Sequence, residues 1–218
     1  MLVSAIISNG QTIADVQNTS FYTAAEALND AQYAWVDLYA LLTENNDDYF
    51  ATELYIPFAS VTADSNRVYT YTYALPADFY RLRMLQYQAN GGSQTYYPFQ
   101  KMTTEDYGNT QNGPAYRMIG ANLKIYDPVN YPQYYMLYYP VPATLTAATD
   151  LSYPNNMVPQ IMSYQIAIEI RRKQQLDVAL YEARRNELRQ TMVHQLSRDD
   201  FKVEKPKNEF AQGFAPYI

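Results

Sequence analysis

The chain has 218 residues, 48% of them apolar but only 17% charged, below the roughly 25% usual in globular proteins. Tyrosine fills much of the gap with 24 copies, and its apolar face and polar tip suit cores and protein interfaces alike. The lack of cysteine excludes disulfides and thiolate metal sites, a lone histidine (His194) excludes a multi-histidine centre within one chain, and a formal charge of −6 with a pI near 4.8 argues against wrapping a phosphate backbone.

Met1 to Ile7 lacks the charged start and the cleavage site of a secretory signal. No apolar run approaches the roughly 18 residues of a membrane span. A chain that is made in a cytoplasm and assembles there, with no membrane partner, is expected. A short helix is read around Ile13 to Gln17. The best helix covers residues 24 to 43. Thr23-Ala24-Ala25-Glu26 fits a capping box, in which hydroxyl and carboxylate reciprocally satisfy end amides. Ala24, Ala27, Leu28, Ala31, Ala34, Trp35, Leu38, Leu41 and Leu42 then form an apolar stripe. The helix stops at Glu44-Asn45-Asn46-Asp47-Asp48, where acids oppose its negative end.

Residues 52 to about 145 change character, with Tyr, Thr, Val and Pro in short alternating runs. Strands are expected at 67–73, 81–87, 94–99, 116–119, 123–126 and 133–139. Asn90-Gly91-Gly92 and Gly120-Ala121-Asn122 mark two hairpins, because glycine reaches positive φ without strain. Together they predict one antiparallel sheet of five or six strands. Helix returns near Pro159, with Ile161, Tyr164, Ile166, Ile168 and Ile170 inward. Leu176, Leu180, Ala183, Leu188, Met192 and Leu196 continue the period, with a turn at 174–177 dividing it into two helices. The tail from Ser197 has no period and holds Pro206, Gly213 and Pro216, so it is read as extended.

The expected class is α+β: a helical bundle of the early helix and the carboxy-terminal helices, carrying an inserted antiparallel sheet and an extended tail. The expected parts are 1–51, 52–150, 151–196 and 197–218. Charge is uneven along them. Nine acids and no Lys or Arg precede Arg67, while residues 160–205 carry nine bases and seven acids. Either this is ordinary surface variation, or the acidic front of one subunit faces the basic helices of another.

Leu75-Pro76-Ala77-Asp78-Phe79 is a turn with a mechanism. Pro76 holds Leu75 extended, Asp78 closes the turn, and Phe79 returns to the core. A strand entering this turn and a strand leaving it resemble the head-to-tail adaptor (connector) proteins of tailed bacteriophages. Further pieces carry the same likeness in the same order. They are Leu28-Asn29-Asp30-Ala31-Gln32, Gly113-Pro114-Ala115-Tyr116-Arg117 with its hairpin ending at Pro128, the strand Tyr134 to Tyr139 followed by Pro140, Pro142 and Leu145-Thr146, and Leu180-Tyr181-Glu182-Ala183-Arg184 in the last helix. The likeness spans residues 13 to 196.

The resemblance implies a structural virion protein without catalytic activity or cofactor. It implies a homo-oligomeric ring, usually twelvefold, in the neck beneath the portal protein. Helices would meet the portal and neighbouring subunits, and the sheet would point toward tail or nozzle proteins. DNA would pass the lumen without specific binding; twelve chains at −6 each amount to −72 formal charges, which repel phosphate. Its carboxy-terminal segment would reach the portal, with Phe210, Phe214 and Tyr217 as anchors.

Other readings compete at individual residues. Arg171-Arg172-Lys173 and Arg184-Arg185 could touch DNA, but in an acidic chain a salt-bridging role toward a subunit or the portal is favoured. Glu44 with Asp47-Asp48 lacks the glycine-bearing loop of a calcium site, so no metal is expected. His194 has no catalytic partner in view, and no Gly-x-Ser-x-Gly motif occurs. The tyrosines at 69, 71, 73, 131, 134, 135, 138 and 139 are read as core and cross-strand ladders. The alternative is a carbohydrate-binding module on a tail fibre or surface protein, using them as stacking platforms.

Overall fold

The computed structural model describes residues 1–15, 21–45, 48–56, 69–88, 96–102, 114–127, 133–151, 153 and 155–197. They divide into two compact units, one helical and one of β-structure. Among the described residues, the helical unit draws on 1–48 and 142–197, and the sheet unit on 49–141.

Four helices make the first unit: α1 (Val3–Ile13), α2 (Ala24–Glu44), α3 (Met157–Lys173) and α4 (Ala179–Ser197). The capping box at Thr23 and Glu26 forms as expected. The glutamate carboxylate accepts from the Thr23 amide at 2.8 Å, and the Glu26 amide donates to the Thr23 hydroxyl at 3.3 Å. Helix α3 lies at the centre, packed by α1, α2 and α4. That position explains its weak sidedness: Val158, Ile161, Met162, Ser163, Ile166, Ala167, Ile168 and Ile170 are all buried. The Ser163 hydroxyl answers the Ile6 and Pro159 carbonyls, at 3.1 and 2.9 Å.

Helix α1 was missed by sequence reasoning, which placed a helix at 13–17. In fact α1 ends at Ile13, and Asp15 takes a positive φ of 58° beyond it; residues 16 and 17 lie outside the described residues. Gly10 lets α1 approach α3. A Cβ there would sit 2.8 Å from Ile166 Cγ2 and 2.9 Å from the Ser163 carbonyl. The segment after Pro142 closes on the start of α1 through Val3 N to Thr149 O at 3.0 Å and Ser4 N to Ala147 O at 3.1 Å. The Leu145 amide donates to the Gln32 side chain of α2.

The second unit corrects the expected architecture. The chain is α+β overall, but it is not a helical bundle with one inserted antiparallel sheet. The β-segment forms two four-stranded sheets around a core of its own. Its strands are β1 (Thr52–Ile56), β2 (Tyr69–Ala74), β3 (Phe79–Gln88), β4 (Tyr96–Pro98), β5 (Gln100–Lys101), β6 (Ala115–Ile119), β7 (Asn122–Asp127) and β8 (Gln133–Pro140). One sheet runs β1-β8-β3-β4 and the other β2-β7-β6-β5, the pair β5 and β6 being parallel. Two features hid this. The chain changes sheet in mid-run, at the Leu75–Phe79 turn and again at Phe99, and period-two alternation says nothing about which sheet a strand joins. Strand β1, which pairs with β8, has a weak pattern because most of it is exposed.

Ile56, Leu85, Tyr134, Met136 and Tyr138 from one sheet meet Tyr71, Leu123 and Ile125 from the other, with Phe99 between. The Tyr71 and Tyr134 rings cross edge to face at 5.6 Å. On the opposite face of β8, Leu137 and Tyr139 pack with Ala51, Phe50 and Met84, so this strand is buried on both sides. The hairpin at Gly120 forms, with φ 58° at the glycine. Strands β3 and β4 pair antiparallel as the Gly91-Gly92 signal predicts, though those glycines lie outside the described residues.

Candidate functional site

The five cations singled out in the sequence lie on α3 and α4, and their own chain engages them. Arg172 bridges Glu169 at 2.9 Å and Glu182 at 2.6 Å, tying α3 to α4. Lys173 reaches Glu26 at 2.7 Å and the Phe21 carbonyl at 2.7 Å, tying α3 to the start of α2. Arg171 lies 4.8 Å over the Tyr181 ring and donates to the Asp177 carbonyl. Arg184 pairs with Glu187, and Arg185 donates to Gln165 and Asn186. Arg189, not singled out in the sequence, bridges Asp37 of α2. Thus two acids of the acidic front, Glu26 and Asp37, meet two bases of the basic half inside one chain. Lys173 is the main cause that holds the Glu26 carboxyl down at about 2, helped by the Thr23 amide and hydroxyl. Beside it, burial and then the Asp30 carboxylate 2.6 Å away push the Tyr22 hydroxyl well above its usual range.

The Leu75–Phe79 segment is a structural clamp. Phe79 N donates to Pro76 O at 2.9 Å, closing the turn between β2 of one sheet and β3 of the other. Leu75 N donates to Ala121 O at 2.9 Å, and Val141 N to Asp78 O at 2.6 Å. The Asp78 carboxylate accepts from Tyr138 at 3.1 Å, while Phe79 stacks on the Tyr138 ring at 5.7 Å. The tyrosines behave as core more than as platform. Tyr71, Tyr134, Tyr138 and Tyr139 are buried, and the Tyr134 hydroxyl donates to the fully buried Asp127 at 2.8 Å. Burial first, then that carboxylate, raises the Tyr134 hydroxyl far above its ordinary value. Phe210, Phe214 and Tyr217 lie outside the described residues.

Part of the apolar period that runs through the last helix lies at the surface. Leu176 and Leu180 are 48% and 76% exposed, and Ala183 is exposed too; of 19 residues in α4 only Leu188 and Met192 are buried. On α2, Tyr33 is 75% exposed. Periodicity predicted the helix correctly but not which turns of it are covered. Among the described residues no group of three His, Cys, Asp or Glu is placed to hold a metal. No described helix is long and apolar enough to cross a membrane.

Exposed large apolar side chains such as Leu176, Leu180 and Tyr33 suit contacts with other proteins. The chain belongs to the SU10 adaptor protein family, whose model matches residues 2–205. That is a family of phage head–tail adaptors, so the protein is a structural component of a phage virion and interacts with other phage structural proteins. A comparison with curated proteins gives no match.

Proposed function

We propose that this chain is the subunit of a ring in the neck of the virion, beneath the portal protein, which joins the portal to tail or nozzle proteins and leaves a lumen for DNA. The reading takes the ring as twelvefold. The family match over residues 2–205, spanning the helical and the sheet segments together, carries it. Two physical features support it. The net charge of −6 repels phosphate, so DNA slides rather than sticks. The exposed leucines of the α3–α4 turn and Tyr33 of α2 offer apolar contact area to neighbours. The cations Arg171, Arg172, Lys173, Arg184 and Arg185 lie on α3 and α4, and in this reading they and the tail aromatics Phe210, Phe214 and Tyr217 dock on the portal or a neighbouring subunit. The decisive experiment mixes purified chain with DNA-filled, portal-bearing heads and images the complex. A symmetric collar at the portal vertex is expected, and a chain that stays single and unbound would overturn the reading. Deletion of residues 206–218 is expected to abolish binding to the heads; a ring that still assembles on the portal would refute the anchoring role.

A further inference from the structure

The turn that joins α3 to α4 is short and strained. Gln175 holds a φ of 58°, a left-handed conformation that a side chain other than glycine adopts at a cost. The bend is closed by Leu176 N to Arg171 O at 2.9 Å and Gln175 N to Arg172 O at 3.0 Å, and the Asp177 carboxylate accepts from Ala179 N at 3.0 Å. Yet Gln174-Gln175-Leu176-Asp177-Val178 holds neither glycine nor proline, so nothing in it forbids a helix. Straightening exchanges the bonds of the bend for ordinary helical ones and makes residues 157–197 a single helix, about 60 Å long. The hold of α4 on its own unit is small. It buries Leu188 and Met192; beyond them, Arg172 bridges Glu182 at 2.6 Å, Arg185 donates to Gln165, and Arg189 bridges Asp37.

We propose that copies of this chain exchange α4: the turn opens, and α4 of one copy fills the seat that α4 of the next has left. This rests on the ring reading above. The seat itself selects the occupant. Its partners, Asp37, Gln165 and Arg172, are those that the chain's own α4 already satisfies, and an identical helix from a neighbour remakes the same contacts. The gain comes at the hinge. Gln175 leaves its left-handed conformation, and short hinges under strain favour exchange of this kind. In addition, Leu176, Leu180 and Ala183, exposed in the closed chain, fall at i, i+4 and i+7 of the continuous helix. They form one apolar stripe at the point where the helix leaves its own unit for the next, and there a neighbour can cover them. Passing α4 always to the next copy is a heterologous contact, which closes a ring when the rotation per step divides a full turn.

The chain has no cysteine, so a pair introduced across the seat reports which copy fills it. The double variant Asp37→Cys with Arg189→Cys, treated as the free chain with a short bis-maleimide, is expected to link internally and run as a monomer on a denaturing gel. Assembled on portal-bearing heads first, the same variant is expected to give a ladder of covalent oligomers, and an equal mixture of the two single variants a covalent dimer. Two hinge variants test the exchange without a linker. Ala179→Pro suits the first turn of α4 in the closed chain but forbids a continuous helix, and is expected to abolish rings while the free chain keeps its helical content. Gln175→Gly relaxes the closed turn and weakens the straight helix, and is expected to raise the concentration needed for rings about tenfold. Rings in which the double variant links only within its own chain, or rings that form as readily with both hinge variants as with wild type, would overturn the exchange and leave the ring reading standing. A wild-type chain that remains single on those heads would remove the ring reading and the exchange with it.

Discussion

Gly10 and Glu26 show how single residues hold the helical unit together. The space beside Gly10 is already filled by Ile166 and the Ser163 carbonyl, so Gly10→Ala forces α1 away from α3. The gain in helix propensity is outweighed by overpacking, and a net loss of about 1–3 kcal/mol is expected in urea unfolding. Unchanged or raised stability would mean that α1 is free to shift. Glu26 sets a pH dependence. Its carboxyl is lowered from 4.5 to about 2 in the fold, mainly by Lys173, so the unfolded chain binds the proton more readily. The stabilisation is therefore complete above about pH 4.5 and is lost as pH falls through that value toward 2. Glu26→Gln is expected to remove this part of the acid limb of a stability–pH curve, and an acid limb identical to wild type would contradict it. The capping role of Glu26 was legible in the sequence as Thr-x-x-Glu; its pairing with Lys173, 147 positions away, was not, because no local pattern encodes a contact between helices.

At the scale of elements, helix α2 and strand β8 were the most legible and respond to the most local changes. Thr23→Ala removes the acceptor of the Glu26 amide and is expected to cost about 1 kcal/mol. On β8 the cost of losing a hydroxyl should track burial. Tyr134→Phe leaves the buried Asp127 with one donor fewer, and about 1–3 kcal/mol is expected. Tyr138→Phe frees the Asp78 carboxylate, which is exposed and rehydrates, so a smaller loss is expected. Equal losses in thermal or urea unfolding would show that burial does not govern these bonds. The tyrosine run of β8 announced a strand because alternating residues fill both of its faces. Which sheet each strand joins was not announced. The Leu75–Phe79 turn reads identically whether it closes a hairpin or carries the chain across to a second sheet, and only the pairing of β2 with β7 and of β3 with β8 decides between them. The same limit applies at Leu176 and Leu180: helical spacing continues through them, but only the turns around Leu188 and Met192 are buried on α4.

For the whole molecule, the placement of charge decides how it treats DNA. A chain that binds duplex presents a basic stripe whose cations release counterions from phosphate, and its affinity falls steeply with salt. Here three of the five bases that sequence alone left open to DNA are answered by acids of the same chain: Arg172 by Glu169 and Glu182, Lys173 by Glu26, Arg184 by Glu187. With a net charge of −6 behind them, the purified protein is expected to leave a duplex unshifted in a gel even at about 50 mM salt, where electrostatic binding is strong. Glu169→Gln with Glu182→Gln releases Arg172 and brings the net charge from −6 to −4, so any retention should emerge in that variant first and vanish again as salt is raised. Wild-type protein that shifts duplex DNA with a steep salt dependence would mean that the internal pairs open to reach phosphate.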